Sequence, residues 1–215
     1  AGEFADKNVG DGKTITLTEV VLDGAKAANY EVVLTEDDGS GNQAALTFTG
    51  NITPASLTIT AADVEKVYDG TLTVTDGEAV AGGGTELFGD DQLSGGTFAF
   101  TDKNVSRDGS GAVQSDKTVT VSGVTLDDGN SGNNYAITYA SNTSSTITPA
   151  SITVTGLAGV DRTYDGTTAV DVTDSGVTIT GEVAGEVGNL SLDLTGASGT
   201  MADRHANENK EISVS

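Results

Sequence analysis

His205 is the single histidine of this 215-residue sequence, and it is the side chain best suited to act as a general base at neutral pH. It sits in Met201-Ala202-Asp203-Arg204-His205-Ala206, a faint copy of Phe4-Ala5-Asp6-Lys7-Asn8-Val9 and of Phe100-Thr101-Asp102-Lys103-Asn104-Val105. A base present in one copy and replaced by an amide in its two siblings does not serve a shared reaction, so His205 reads as an exposed loop residue. The Gly82-Gly83-Gly84 run is followed by no Gly-Lys-Ser/Thr and opens no helical pattern, so it reads as a loop rather than a phosphate cradle. Oxygen-rich turns offer different chemistry. Asp37-Asp38-Gly39-Ser40-Gly41-Asn42 and Asp127-Asp128-Gly129-Asn130-Ser131-Gly132-Asn133 collect the carboxylates and amides that Ca²⁺ takes, with the tandem Asp90-Asp91 a weaker instance. Neither turn has EF-hand spacing, and the ordinary alternative is a solvated turn built of Asp, Asn and Gly. An amide crosslink between a lysine and an Asn or Asp would need a buried lysine beside its acceptor and an acid. The adjacency of Lys103 and Asn104 does not provide that, and surface ion pairs are the expectation for the lysines. Catalytic, cofactor-binding and metal-ligating residues are therefore assigned to none, and the chain is expected not to be an enzyme.

Thirty-two acidic residues stand against ten basic ones, a net charge of −22 that repels nucleic-acid phosphates and anionic membrane surfaces. The absence of cysteine removes disulfide scaffolds, thiol chemistry and cysteine-based zinc sites. No apolar run approaches bilayer length, and no signal-peptide pattern opens the sequence, so a soluble internal segment is expected. Two prolines, abundant Gly, Thr, Asp and Val, and few helix-favouring runs point to strands and tight turns.

The pieces above belong to a repeat. Ile52-Thr53-Pro54-Ala55-Ser56-Leu57-Thr58-Ile59-Thr60 returns 95 residues later as Ile147-Thr148-Pro149-Ala150-Ser151-Ile152-Thr153-Val154-Thr155. Lys66-Val67-Tyr68-Asp69-Gly70-Thr71 returns 96 residues later as Arg162-Thr163-Tyr164-Asp165-Gly166-Thr167. A period near one hundred residues suits a string of small globular modules rather than solenoid turns. The joints fall at Pro54 and Pro149, which divide the chain into the back of a first module (residues 1–53), a complete second module (54–148) and the front of a third (149–215). A strand-like run begins within two residues of each proline, so no flexible linker separates the modules, and a semi-rigid rod is expected.

Strand signals run through each copy. Leu57 and Ile59, Leu72 and Val74, Val119 and Val121, and Tyr135, Ile137 and Tyr139 alternate with Thr, Ser or Ala, one face buried and the other wet. After Val121 the pattern slips by one residue to Val124 and Leu126, which predicts a β-bulge at Gly123. Ile15, Leu17, Val20 and Leu22 predict another at Glu19. Asp69-Gly70 between two runs predicts a hairpin turn with positive φ at the glycine. In the third copy the apolar pair moves by two residues to Val170 and Val172, an even insertion that keeps the buried face. About seven strands in the complete copy predict an all-β fold of tandem small β-sandwich modules, Ig-like, with a β-grasp-like arrangement as the alternative.

Taken together, the Tyr-Asp-Gly-Thr turn, the Ile-Thr-Pro-Ala joint, the Asp-Lys-Asn-Val segment and the Asn-Tyr strand resemble the YDG/MBG-type repeats of very large bacterial surface proteins, the filamentous-haemagglutinin-like adhesins. The third copy departs from the pattern at Met201 and at His205-Ala206. The resemblance implies secretion, an extracellular location on the bacterial cell surface, and a structural stalk or scaffold role in an adhesin or filament. The alternative is a Ca²⁺-dependent ligand- or glycan-binding repeat. Residues 106–116 argue for the stalk, since that long loop holds Gly, Ser and Asp rather than binding aromatics. The expected partners are neighbouring modules of the same protein, with head-to-tail self-assembly through the incomplete first and third copies. Nucleic acid and membrane insertion are not expected.

Overall fold

A computed structural model describes residues 2–17, 20–37, 43–45 and 47–214. Among these residues the chain is all β, its one helical element being a single 3₁₀ turn at Ala27–Asn29. Two compact units form: Ala1–Val64 with Thr73–Phe100 and Thr118–Thr143, and Glu65–Leu72 with Thr101–Lys117 and Ser144–Ser215. The complete repeat contributes eight strands, because its last run divides at Ala140-Ser141 into Tyr135–Tyr139 and Asn142–Thr148.

In the first unit, Ala55–Ala61 is the central strand of a three-stranded sheet. It pairs antiparallel with Ala79–Gly82 and parallel with Tyr135–Tyr139, in the register Tyr135↔Ala55 through Tyr139↔Ile59. Gln92–Phe100 lies antiparallel between Thr73–Val74 and the long strand Lys117–Asp127. Leu57, Ile59 and Ala61 from the first sheet and Phe98, Phe100, Val119, Val121 and Leu126 from the second are all buried. Two inner faces with alternating apolar residues make a sandwich-type core, as the period-two pattern predicts. Residues of the first repeat add a sheet of Gly2–Phe4, Gly10–Leu17 and Phe48–Ile52.

The slip at Gly123 is present, but it is not an inserted residue. Phe98↔Val121, Thr97↔Ser122 and Gly95↔Val124 keep one unbroken register. Instead Gly123 (φ +64°) lies across from Gly96 (φ +110°), with Gly95 (φ +64°) next to it, so both strands kink together through left-handed glycines. The inward-facing positions change phase on both strands, from buried Val121 to half-buried Val124 and from buried Phe98 to half-buried Leu93. Glu19 lies outside the described residues; Val20 and Leu22 are exposed and belong to no strand. Alternation also overstates burial on the edge strand, where Tyr135 is buried while Ile137 and Tyr139 are exposed.

In the second unit, Glu65–Val67 pairs parallel with the end of Asn142–Thr148, in the register Glu65↔Thr146 to Val67↔Thr148. The third repeat forms shorter pairings: Thr153–Thr155 with Thr178–Thr180, Ala158–Gly159 with Val172–Thr173, and Ala169–Val170 with Gly199–Met201, which pairs in turn with Ile212–Val214. Val170 is buried and Val172 half-buried, whereas their second-copy counterparts Leu72 and Val74 are exposed and half-buried, so the shared facing expected across the two-residue insertion is not found at the first position.

The sandwich core makes Ile59, fully buried, far more sensitive than Ile137, 37 % exposed. Ile59→Ala is expected to cost about 2–5 kcal/mol in urea unfolding. Ile137→Ala is expected to cost about 1 kcal/mol or less; equal losses would contradict this core.

Candidate functional site

The Tyr-Asp-Gly-Thr segment is an Asx turn closed by a cation three residues before the aspartate. Asp69 Oδ1 accepts the Thr71 amide N–H (2.8 Å) and hydroxyl (2.9 Å), while Lys66 Nζ lies 2.7 Å from the same oxygen. That ammonium also donates to the Thr71 carbonyl and hydroxyl at 3.0 Å. The third copy repeats the device with Asp165, Thr167 and Arg162. Gly70 and Gly166 take the positive φ expected of them, +75° and +83°. The turn is not a hairpin, however. Glu65–Val67 pairs with Asn142–Thr148 and Thr73–Val74 with Gln92–Phe100, so the glycine serves a crossover between separate pairings. The Lys66 hydrogen bond, aided by the Thr71 amide, holds the Asp69 carboxyl down to about 2. Asp165 is likewise lowered, chiefly by the Thr167 amide and hydroxyl.

A second Asx turn recurs in all three copies of the Asp-Lys-Asn-Val segment. Asp6, Asp102 and Asp203 accept the backbone N–H of Asn8 (2.8 Å), Asn104 (3.0 Å) and His205 (2.7 Å). Each aspartate also receives a lysine from further along the chain: Lys13 and Lys117 from strands, and Lys210 from just before Ile212–Val214. These lysines are not surface groups, since their side chains are only 12 %, 9 % and 11 % exposed. Their stems pack along the strands and their ammonium groups end on half-exposed carboxylates. The lysine hydrogen bond is the largest cause holding each aspartate below its ordinary range. An ionised carboxylate is a poor acyl donor and an ammonium has no lone pair to attack it, so this geometry is that of an ion pair. Its signal in the sequence was the pattern Lys-Thr-Ile-Thr-Leu, Lys-Thr-Val-Thr-Val and Lys-Glu-Ile-Ser-Val at residues 13–17, 117–121 and 210–214.

The lysine inside the segment reaches the next repeat. Lys7 Nζ meets Asp91 Oδ1 at 3.1 Å, and Asp91 Oδ2 accepts the Tyr135 hydroxyl at 2.7 Å. The hydroxyl and then Lys7 lower the Asp91 carboxyl, while desolvation leads in raising Tyr135. Beside this pair, Asn134 accepts the Val9 N–H (2.9 Å) through Oδ1 and donates to Asn8 Oδ1 (3.1 Å). The Asn134 carbonyl also receives the Ala55 N–H at 2.9 Å, just after Pro54. At the later joint Lys103 Nζ lies 3.1 Å from Glu186 Oε1, which accepts the Tyr68 hydroxyl at 2.6 Å. There Tyr68, Asn104, Val105, Pro149 and Ile152 line a cavity of about 430 Å³.

Other residues singled out in the sequence have different fates. Asp128, in the acidic turn, is buried rather than solvated. Its Oδ1 accepts the N–H groups of Asn130 (2.7 Å) and Gly132 (2.8 Å), and its Oδ2 that of Asn134 (2.9 Å). Desolvation pushes this carboxyl up, but the backbone donors of Asn134, Gly132 and Asn130 outweigh it and leave it lowered. Three donors aimed at one carboxylate order the turn that delivers Asn134 to the joint. The corresponding Asp38 to Asn42 stretch lies outside the described residues. Among the described residues, no three His, Cys, Asp or Glu side chains cluster as a metal site. Gly83 and Gly84 form a left-handed turn after Ala79–Gly82, and His205 is exposed. Asp91, weighed only as half of a weak acidic pair, proves to be a joint residue.

Repeated Asx turns, lysine–aspartate pairs and proline joints on sandwich sheets define a tandem all-β repeat protein. Residues 1–39, 53–144 and 148–215 each match the YDG domain, and the chain belongs to that family. No curated protein and no solved structure matches it.

Two outcomes follow from the turn. Gly70→Val places a Cβ at positive φ and 2.9 Å from Val183 Cγ1, and is expected to cost about 1–3 kcal/mol of stability; an unchanged melting midpoint would refute the strain. Because its folded pKa is depressed, Asp69 contributes stability that is present above the unfolded value of about 3.9 and lost as pH falls toward about 2. Carboxyl NMR titration is expected to find Asp69 near 2 and, in Lys66→Met, back toward the ordinary range. A titration unmoved by that substitution would refute the clamp.

Proposed function

We propose that this chain is a tension-bearing stalk segment of a secreted bacterial cell-surface adhesin or filament. The supporting observation is the parallel pair of Ala55–Ala61 and Tyr135–Tyr139. The first strand follows the joint at Pro54, and the second leads into the strand that ends at Thr148, before Pro149. Tension applied through the two joints pulls parallel neighbours in opposite directions along their length, so the five register pairs from Tyr135↔Ala55 to Tyr139↔Ile59 are loaded together rather than one by one. The joint contacts support the same reading, since each carries a lysine from one repeat onto an acid of the next. A net charge of −22 favours a solvated, non-adherent shaft.

Single-molecule pulling tests the reading. The complete repeat is expected to resist extension as one cooperative event, and Thr138→Pro, which removes a donor inside the parallel pair, is expected to lower the rupture force markedly. A force unaffected by that substitution would sink the tension-bearing role. Labelling of intact source cells by an antibody to the chain is the expected result for the surface location, and labelling only after permeabilisation would overturn it.

A further inference from the structure

One strand of the complete repeat keeps an open side. In the sheet of Ala79–Gly82, Ala55–Ala61 and Tyr135–Tyr139 the last is an edge, and among the described residues no strand pairs with its outer side. Every strand of that repeat lies within residues 54–148, so this edge is not one that an incomplete copy leaves behind. The Asn134 carbonyl and the Ala140 N–H both turn toward Ala55–Ala61. Backbone groups of alternate residues in a parallel ladder face opposite ways, so Ala136 and Thr138 face inward with them. The N–H and C=O groups of Ile137 and Tyr139 therefore face out.

Edges are normally blunted by charge, proline, a bulge or brevity. The other edges of this repeat follow that rule: Thr73–Val74 has two residues, Ala79–Gly82 has four, and Glu65–Val67 carries two charged side chains. Tyr135–Tyr139 has five residues and no such protection. No Asp, Glu, Lys, Arg or His occurs from residue 129 to 160, in a chain of net charge −22. Ile137 and Tyr139 are exposed, and Phe88, 57 % exposed, stacks on Tyr135 with 6.2 Å between ring centroids. An apolar strip thus runs along unpaired backbone.

The strand also matches itself. Tyr135-Ala136-Ile137-Thr138-Tyr139 reads nearly the same in both directions, so a second copy turned end for end sets Ile137 against Ile137, Tyr135 against Tyr139 and Ala136 against Thr138. We propose that two copies of this chain associate through antiparallel pairing of residues 135–139, on a two-fold axis at Ile137. The two Ile137 residues exchange both backbone hydrogen bonds, and Tyr139 of each copy lies beside Tyr135 and Phe88 of the other, an aromatic cross-strand pair at each end. Tyr135, Ile137 and Tyr139 share the facing of Ala55, Leu57 and Ile59, so the pairing continues the core-side face from one copy to the next. A two-fold contact uses the same surface on both partners and closes at two chains. The occupant is a second copy because the strand is its own complement and because two strongly acidic chains approach best where charge is absent. A basic partner would be drawn to the acidic surfaces instead. Like-charged chains repel, so added salt strengthens this association. Five residue pairs make a contact smaller than the roughly 1,200 Å² of stable interfaces, so the dimer is weak. The proposal does not depend on the cell-surface reading.

Sedimentation velocity on the whole chain, at rising concentration and salt, is the test. The wild type is expected to give a two-chain species that salt favours. Ile137→Lys and Ile137→Glu are each expected to stay monomeric alone, since each sets like charges together on the axis. An equimolar mixture of the two is expected to dimerise, with salt now weakening the pair. That rescue requires residue 137 of one copy to meet residue 137 of the other, and a substitution that merely loosened the fold would not produce it. In the unsubstituted chain, hydrogen exchange at the Ile137 and Tyr139 amides is expected to slow as concentration rises. A wild type that stays monomeric at its solubility limit in high salt would overturn the proposal. So would a dimer equally strong in Ile137→Lys, or exchange at Ile137 that dimerisation leaves unchanged.

Discussion

The parallel pairing of Ala55–Ala61 with Tyr135–Tyr139 is the constraint on which the complete repeat depends. Two parallel neighbours cannot be joined by a tight hairpin, so a long stretch of chain must cross over between them. Thr58 and Thr138, whose hydroxyls meet at 3.3 Å, are 80 residues apart in sequence. Closure at that separation has a substantial loop entropy cost, offset by burial of Leu57, Ile59, Phe98, Phe100 and Val119 between the sheets. It also brings Tyr135 and Asn134 to the proline joint, where the contacts with the preceding repeat are made.

Around this closure the protein uses one small electrostatic device several times. An aspartate turns the backbone by accepting an N–H two residues ahead, and a cation then fixes the aspartate. Asp6, Asp102 and Asp203 use nearly buried lysines, whereas Asp69 and Asp165 use a basic residue three positions before them. A nearly buried ammonium without an anion would be strongly unfavourable, so lysine and aspartate must be retained together. In a chain with so few basic residues, seven of the ten take part in ion pairs among the described residues, which ties the scarce positive charge to turns and joints.

The sequence by itself determined the all-β class, the array and the positive-φ turn at Gly70, because period-two alternation, exact-order repetition and the Asp-Gly pair are each written locally. It also located the change of facing near Gly123, since Val121, Val124 and Leu126 must all reach the core. Tertiary structure decided what those local signals served. The slip became a matched kink because glycines on the neighbouring strand can kink with it, and the Asp-Gly turn became a crossover because its flanking strands found other partners. Asp128 went inward because three backbone donors converge on it, and Lys117 became nearly buried because Asp102, fifteen residues earlier, folds back over its strand. Partner choice of this kind is set by which surfaces meet across long stretches of chain. No window of neighbouring residues contains it.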